Sequence, residues 1–192
     1  GLARGEPVLC AGWRQQRGGG RDAKRAGGLV AGTGDLIDAR GGRVKARRGV
    51  AGRAGRHPGR VAVRHTVVAG SNIFGEPACV LIRRAALGRA GGWDGRHPYV
   101  IDEATYVNLL IGGDFFGIGT ALAAFRLSSS QWSVHLARQQ SDQVIEFHRR
   151  LANDEPGLLS RTDLLRGEVM ARGMAYARRL AYVWVGRRMH TH

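Results

Sequence analysis

Two adjacent carboxylates, Asp102 and Glu103, are the residues of this chain whose type and position best suit acid–base chemistry. They lie in the stretch PYVIDEATYVNLLIGGD (98–114), where an aromatic and aliphatic run leads into the two acids and a helical pattern follows them. Acids at a helix start either cap the helix or lie at a cleft, where a carboxylate can accept a proton from a substrate. The pattern of this stretch alone leaves both interpretations open.

Three other motifs accompany the acidic helix start in a set order along the chain. NIFGEPACVLIRRAAL (72–87) and GGWD (91–94) precede it, and ALAAFRLSSSQWSV (121–134) follows it. In this order the four motifs resemble the C-terminal half of family 2 glycosyltransferases, which are inverting enzymes of the GT-A fold that use nucleotide-sugar donors. The resemblance covers about residues 28–155.

The resemblance implies a catalytic role for the acids. The matching Asp of the family takes the proton from the acceptor hydroxyl as that hydroxyl attacks the anomeric carbon, and this position is Asp102. Glu103 is the alternative base. Relatives usually carry a second Asp two residues after the base, where this chain has Ala104. The competing interpretation is that Asp102 only caps the helix.

The resemblance also implies substrate-binding residues in two other motifs. In the first motif they form a loop near the reacting groups, where Gly lets the backbone approach a sugar: Asn72, Gly75, Glu76 and Pro77. Arg126 would face donor phosphates and Trp132 would stack on a sugar ring. The alternatives are an ordinary turn for the loop, a solvated side chain for Arg126 and a core position for Trp132.

The donor side of such an enzyme needs residues that this sequence does not have. The family holds Mg²⁺ or Mn²⁺ on the donor diphosphate with an Asp-x-Asp pair, since these hard cations prefer oxygen ligands. No Asp-x-Asp occurs in the 192 residues. We therefore expect a glycosyltransferase fragment that is inactive alone and has no metal site of its own. Its expected partners are a nucleotide-sugar donor and a saccharide or lipid-linked acceptor.

Alternating strand and helix patterns predict an α/β fold, a partial GT-A fold with a mostly parallel sheet, flanking helices and a C-terminal helical extension. ACVLIRR (78–84) is predicted as a buried central strand, and FFGIG and LAAFR (115–126) as two short strands. A long helix is predicted over 133–151, with an apolar stripe at near-heptad spacing. SRTD (160–163) resembles a capping box that begins a last helix.

The sequence divides the chain into three regions. Residues 1–27 are rich in Gly, Arg and Ala, so we expect no persistent structure there, and a shifted reading frame of a GC-rich gene would give such a stretch. Residues 28–155 are the glycosyltransferase-like half, and 156–192 are a basic helical tail.

The net charge of +15 is concentrated near the start of the chain: 15 of the 30 Lys and Arg residues but only four of the 15 acids lie in the first 65 residues. An alternative function is thus a basic module that binds nucleic acid or an anionic membrane without catalysis. We do not expect nucleic acid as a partner, because this segment lacks interleaved aromatic residues. The last helix mixes apolar residues with Arg, so peripheral membrane contact is a secondary expectation. Two Cys in unrelated contexts and no apolar run of about 20 residues favour a cytoplasmic location.

Overall fold

The computed structural model describes residues 28–37, 41–50, 53–126 and 139–190. The predictions made for residues 1–27 and for Trp132 lie outside these ranges. Among the described helices, none combines the length and apolar character needed to cross a membrane.

A mixed sheet forms the centre of the fold. Its strands are β1 (Leu29–Ile37), β2 (Arg43–Arg48), β3 (Gly55–Pro58), β4 (Val80–Ile82) and β5 (Asp114–Arg126). Four of them lie in the order β2-β1-β5-β3, and the short β4 pairs with the first residues of β1. Among the strands of the described residues, β1 and β5 are parallel, and the other three pairs are antiparallel.

The α/β class is confirmed, but the prediction of a mostly parallel sheet is wrong. The connection between β1 and β2 spans only residues 38–42, which is too short for the crossover that parallel strands require. A further antiparallel strand, β3, lies within residues 48–60, a segment rich in Gly and Arg. It pairs with the start of β5.

Two strand predictions need correction. ACVLIRR is not a central buried strand, because only Val80–Ile82 is extended and Leu81 is 40% exposed. A short aliphatic run does not by itself distinguish a buried strand from a sheet-edge segment. FFGIG and LAAFR belong to one strand, β5, whose parallel pairing with β1 has irregular register near Gly32 and Thr33.

Five helices accompany the sheet in the described part of the chain. They are α1 (Gly59–Ala69), α2 (Arg84–Arg89), α3 (Ile101–Ile111), α4 (Gln140–Asp154) and α5 (Arg161–His190). The predicted helix at Asp102 is confirmed. The short helix α2 ends before Gly91 and Gly92, both of which have positive φ.

The predicted stripe of the long helix and the predicted capping box are both confirmed. In α4 the four described stripe residues are buried: Gln140, Val144, Phe147 and Leu151. Leu136, the first residue of that stripe, and the predicted start of the helix lie outside the described residues. At the start of α5, the N–H of Asp163 donates to Ser160 Oγ (3.1 Å) and the N–H of Ser160 donates to Asp163 Oδ2 (3.0 Å).

The basic tail packs on the rest of the fold through α5. Asp163 is buried and accepts hydrogen bonds from the Arg64 guanidinium of α1 (2.9 and 3.0 Å), which hold the pKa of its carboxyl well below the usual range. Four residues further along, Gly167 lies directly against Val67 of α1. The absence of a side chain at Gly167 therefore sets how closely the two helices approach.

We predict that Gly167→Ala destabilises the protein while Gly173→Ala does not. A Cβ at Gly167 would overlap the Val67 carbonyl oxygen, and a Cβ at Gly173 would meet no atom within 4 Å. Separating α1 from α5 should cost about 1–3 kcal/mol, whereas Ala at Gly173 should add up to about 1 kcal/mol through helix propensity. Urea unfolding of both variants measures this. Equal midpoints would contradict the packing of α5 on α1.

Candidate functional site

Asp102 lies in the first turn of α3, directly after a 3₁₀ turn at Pro98–Val100. The N-cap residue of α3 is Val100, and no side chain caps the helix. Burial raises the pKa of the Asp102 carboxyl to about 6, and the Glu76 carboxylate adds to the shift. A helix start normally favours a charged carboxylate, so the raised pKa reflects desolvation and a like charge. This environment differs from that of a simple helix cap.

The loop that carries Glu76 has a defined shape because Asn72 closes it. Asn72 Oδ1 accepts hydrogen bonds from the N–H groups of Phe74 (2.8 Å) and Gly75 (3.3 Å), and Asn72 Nδ2 donates to the Gly75 carbonyl (3.1 Å). Gly75 adopts a φ of 100°, which favours glycine. Pro77 then begins a 3₁₀ turn in which the N–H of Cys79 donates to the Glu76 carbonyl (2.8 Å).

The structure thus brings Asp102 and Glu76, two residues predicted from separate motifs, into electrostatic contact. Within the loop, Asn72, Gly75 and Pro77 hold the backbone on either side of Glu76. The sequence-based prediction that these residues bind substrate stays a prediction.

Tyr106, one turn after Asp102 on α3, was missed in the sequence analysis. It is fully buried. Burial is the largest cause of the raised pKa of its hydroxyl, and the charges of Asp102 and Glu76 add to the shift. Its hydroxyl has no hydrogen-bond partner among the described residues. A buried phenol without a partner is uncommon in folded proteins, so this hydroxyl is available as a donor beside the two carboxylates. Its i, i+4 spacing from Asp102, which places the two residues on one face of the helix, could have identified it.

Trp93 was also missed, although it belongs to the quoted motif GGWD. The residue is 48% exposed, and its ring lies 6.4 Å from the ring of Tyr106, centroid to centroid. The neighbouring Asp94 attaches this turn to α3: its N–H donates to Thr105 Oγ1 (3.0 Å), and its carboxylate accepts from Asn108 Nδ2 (3.2 Å). An exposed aromatic ring on a fixed turn can stack on the apolar face of a sugar.

Asp94 also contrasts with Asp102 in its electrostatics. The Arg96 guanidinium contacts both oxygens of the Asp94 carboxylate, with 2.7 Å between Nε and Oδ1. This charge-assisted pair, together with the Asn108 amide, holds the pKa of the Asp94 carboxyl well below its usual range. Asp94 therefore stays ionised and positions the turn.

Glu103 is buried in the interior of the protein, unlike the partly exposed Asp102. Its Oε1 lies 3.0 Å from His148 Nε2 of α4, and both side chains are only 3% exposed. The role of Glu103 as an alternative base stays a prediction, but its carboxylate is engaged in joining α3 to α4. Adjacent residues on a helix point about 100° apart, which explains why the two acids occupy different environments.

Of the two remaining predicted site residues, Arg126 and Trp132, the structure describes only the backbone of Arg126. Arg126 is the last residue of β5 and pairs with Ile37 at the end of β1. Its side chain and the whole of Trp132 lie outside the description, so their predicted contacts with phosphate and sugar stay predictions.

The metal that the resemblance implies does not fit the residues of the described ranges. These ranges contain no group of three or more His, Cys, Asp or Glu side chains that could hold an ion. Glu76 and Asp102 supply two carboxylates, whereas Mg²⁺ prefers octahedral coordination by oxygen.

Comparisons with known proteins give no match for this chain, neither among protein-family models nor among curated proteins compared by sequence.

We predict that Asp102→Asn and Asp94→Asn change stability in opposite directions at neutral to basic pH. Because the folded-state pKa of Asp102 (about 6) exceeds the ordinary value of 3.8, its ionisation disfavours the folded state as pH rises through this window. After allowance for solvent screening, Asp102→Asn should stabilise by on the order of 1 kcal/mol near pH 8 and by little near pH 4. Asp94→Asn should destabilise by about 1–3 kcal/mol near pH 8.

Urea unfolding at the two pH values measures both effects. If Asp102→Asn is destabilising near pH 8, the raised pKa is wrong.

We also predict that the buried Glu103–His148 contact matters far more for stability than a surface ion pair. Glu103→Ala leaves His148 buried without its partner and should cost at least about 2 kcal/mol. The matched control is Glu155→Ala, which breaks the exposed Arg60–Glu155 pair (2.8 Å) and should cost under about 1 kcal/mol. A double-mutant cycle with His148→Ala isolates the coupling, and additive effects would contradict a direct interaction.

Proposed function

We propose that this chain carries the base and acceptor side of an inverting glycosyltransferase similar to family 2, with Asp102 as the general base. The observation that carries the proposal is the environment of Asp102: a first-turn carboxylate, mostly buried, whose pKa is raised to about 6 beside Glu76. The ordered motifs from NIFGEP to ALAAFR supply the family context.

A carboxylate with this pKa is suited to general-base catalysis at neutral pH. It is ionised there, yet it is a stronger base than an ordinary carboxylate. In the proposed step, Asp102 takes the proton of the acceptor hydroxyl while the hydroxyl oxygen forms a bond to the anomeric carbon. The bond to the nucleotide diphosphate breaks at the same time, and its electron pair leaves with the phosphate oxygen.

The neighbouring residues have supporting roles in this proposal. Glu76 keeps the pKa of Asp102 raised and can accept hydrogen bonds from sugar hydroxyls. Tyr106 can donate its unpartnered hydroxyl, and Trp93 offers an exposed ring for stacking on the acceptor. Arg126 and Trp132 retain their predicted places on the donor phosphates and sugar.

The donor side is proposed to come from a polypeptide segment outside this sequence. A nucleotide-sugar diphosphate needs its charge neutralised as it departs, and the family does this with Mg²⁺ or Mn²⁺ on an Asp-x-Asp pair that this sequence lacks. The expected acceptor is a saccharide or a lipid-linked saccharide.

We predict no sugar transfer by this chain alone and transfer once a donor half with an Asp-x-Asp is joined in frame. In the joined protein, Asp102→Asn should lower kcat by about 10²- to 10⁴-fold, roughly 3–5 kcal/mol in the barrier, and leave donor binding nearly unchanged. Activity should fall as pH drops below about 6, because protonated Asp102 cannot act as a base.

Two controls separate this role from nonspecific effects. Asp142→Asn, at an exposed position of α4, should leave kcat unchanged, and Glu103→Gln should matter less than Asp102→Asn. Full turnover by Asp102→Asn with loss of turnover in Glu103→Gln would move the base to Glu103. Full turnover by both variants would contradict the proposal.

A further inference from the structure

Helix α5 has apolar residues on two opposite faces. Its inward face is made of small residues that pack on the body of the protein, namely Gly167, Ala171 and Ala175. On the opposite face, Leu165 is 66% exposed, Val169 is 63% exposed and Tyr176 is 64% exposed. These three residues, spaced by four and seven positions, lie along one line of the helix. We call them the outer stripe.

Packing within the described residues does not account for the outer stripe. Single exposed apolar residues are normal on a protein surface, but three large ones aligned on one helix face mark an interaction surface. A helix of 30 residues extends over about 45 Å.

The charge beside the outer stripe is positive. Arg161 and Arg166 are exposed and occupy positions that flank the stripe, and the exposed Arg172 lies beside it in an ion pair with Glu168 (2.7 Å). The acids of α5, Asp163 and Glu168, are both engaged with arginines: Asp163 is buried against Arg64, and Glu168 accepts from Arg149 and Arg172.

We propose that α5 is a surface-binding helix that lies flat on an anionic membrane. The outer stripe enters the boundary between headgroups and acyl chains, and the flanking arginines face lipid phosphates. The inward face stays on the protein, so the helix is already formed and binding carries little ordering cost. This inference does not depend on the proposed transferase activity.

Charge complementarity favours a membrane over a second copy of the chain. A symmetric pair would place the same surface against itself and bring the arginines beside the two stripes together. Like charges at an interface oppose association. An anionic lipid surface instead neutralises those arginines while it covers the apolar residues.

The full-length chain tests the proposal with vesicles of phosphatidylcholine alone and of phosphatidylcholine with about 30% phosphatidylserine. Because residues 1–27 are also rich in Arg, the readout has to report from the helix itself. A polarity-sensitive fluorophore is placed at Val169→Cys, or at Leu81→Cys as an exposed apolar control on β4. Both variants carry Cys10→Ser, and Cys79 is buried and only 2% exposed.

We expect a blue shift at position 169 with the anionic vesicles, a much weaker one with the neutral vesicles, and none at position 81. The double variant Leu165→Gln/Val169→Gln should lower vesicle affinity at least about tenfold, whereas the control Val61→Gln/Leu81→Gln should change it less than about twofold. Salt should weaken binding of the unmodified chain.

Three outcomes would overturn the proposal. The first is no blue shift at position 169, and the second is an equal shift at positions 169 and 81. The third is a shift at position 169 that appears without vesicles and grows with protein concentration, which would show that a second copy covers the stripe.

Discussion

The buried contact between Glu103 and His148 holds helix α3 in place, and the candidate site depends on that helix. With His148 on α4, the contact joins the two helices through a polar pair that solvent scarcely reaches. Asp102 and Tyr106 lie one turn apart on α3, and Thr105 and Asn108 hold the turn at Asp94. A displacement of α3 would therefore disturb Asp102, the unpartnered hydroxyl of Tyr106 and the exposed Trp93 together.

Three acids within ten residues of one another have three different environments. Asp94 is paired with the Arg96 guanidinium and stays ionised. Glu103 is buried against His148, whereas Asp102 is mostly buried beside another carboxylate, Glu76. Desolvation and the neighbouring like charge of Glu76 make the charged form of Asp102 costly. A carboxylate whose charge is disfavoured binds protons more readily, which is the property that a general base requires.

Helix α5 shows how close packing on one face can leave a second apolar face outside. Gly167 and Ala171 let the helix approach α1 closely, so little apolar side-chain volume is needed on the inward face. The larger residues of the outer stripe are consequently not used in the core. Their position between arginines suits a surface that is both apolar and anionic.

The sequence by itself determined the local features of this protein. The helix that begins near Asp102, the glycines that end α2, the buried stripe of α4 and the Ser160–Asp163 capping box depend on neighbours a few residues apart, so their patterns predict them. Tertiary structure alone decided the sheet order, the edge position of β4 and the single continuous β5, because strand pairing depends on partners distant in the chain. It also decided the difference between Asp102 and Glu103. The two acids are adjacent in the sequence, and the fold places Glu76 beside Asp102 and His148 beside Glu103.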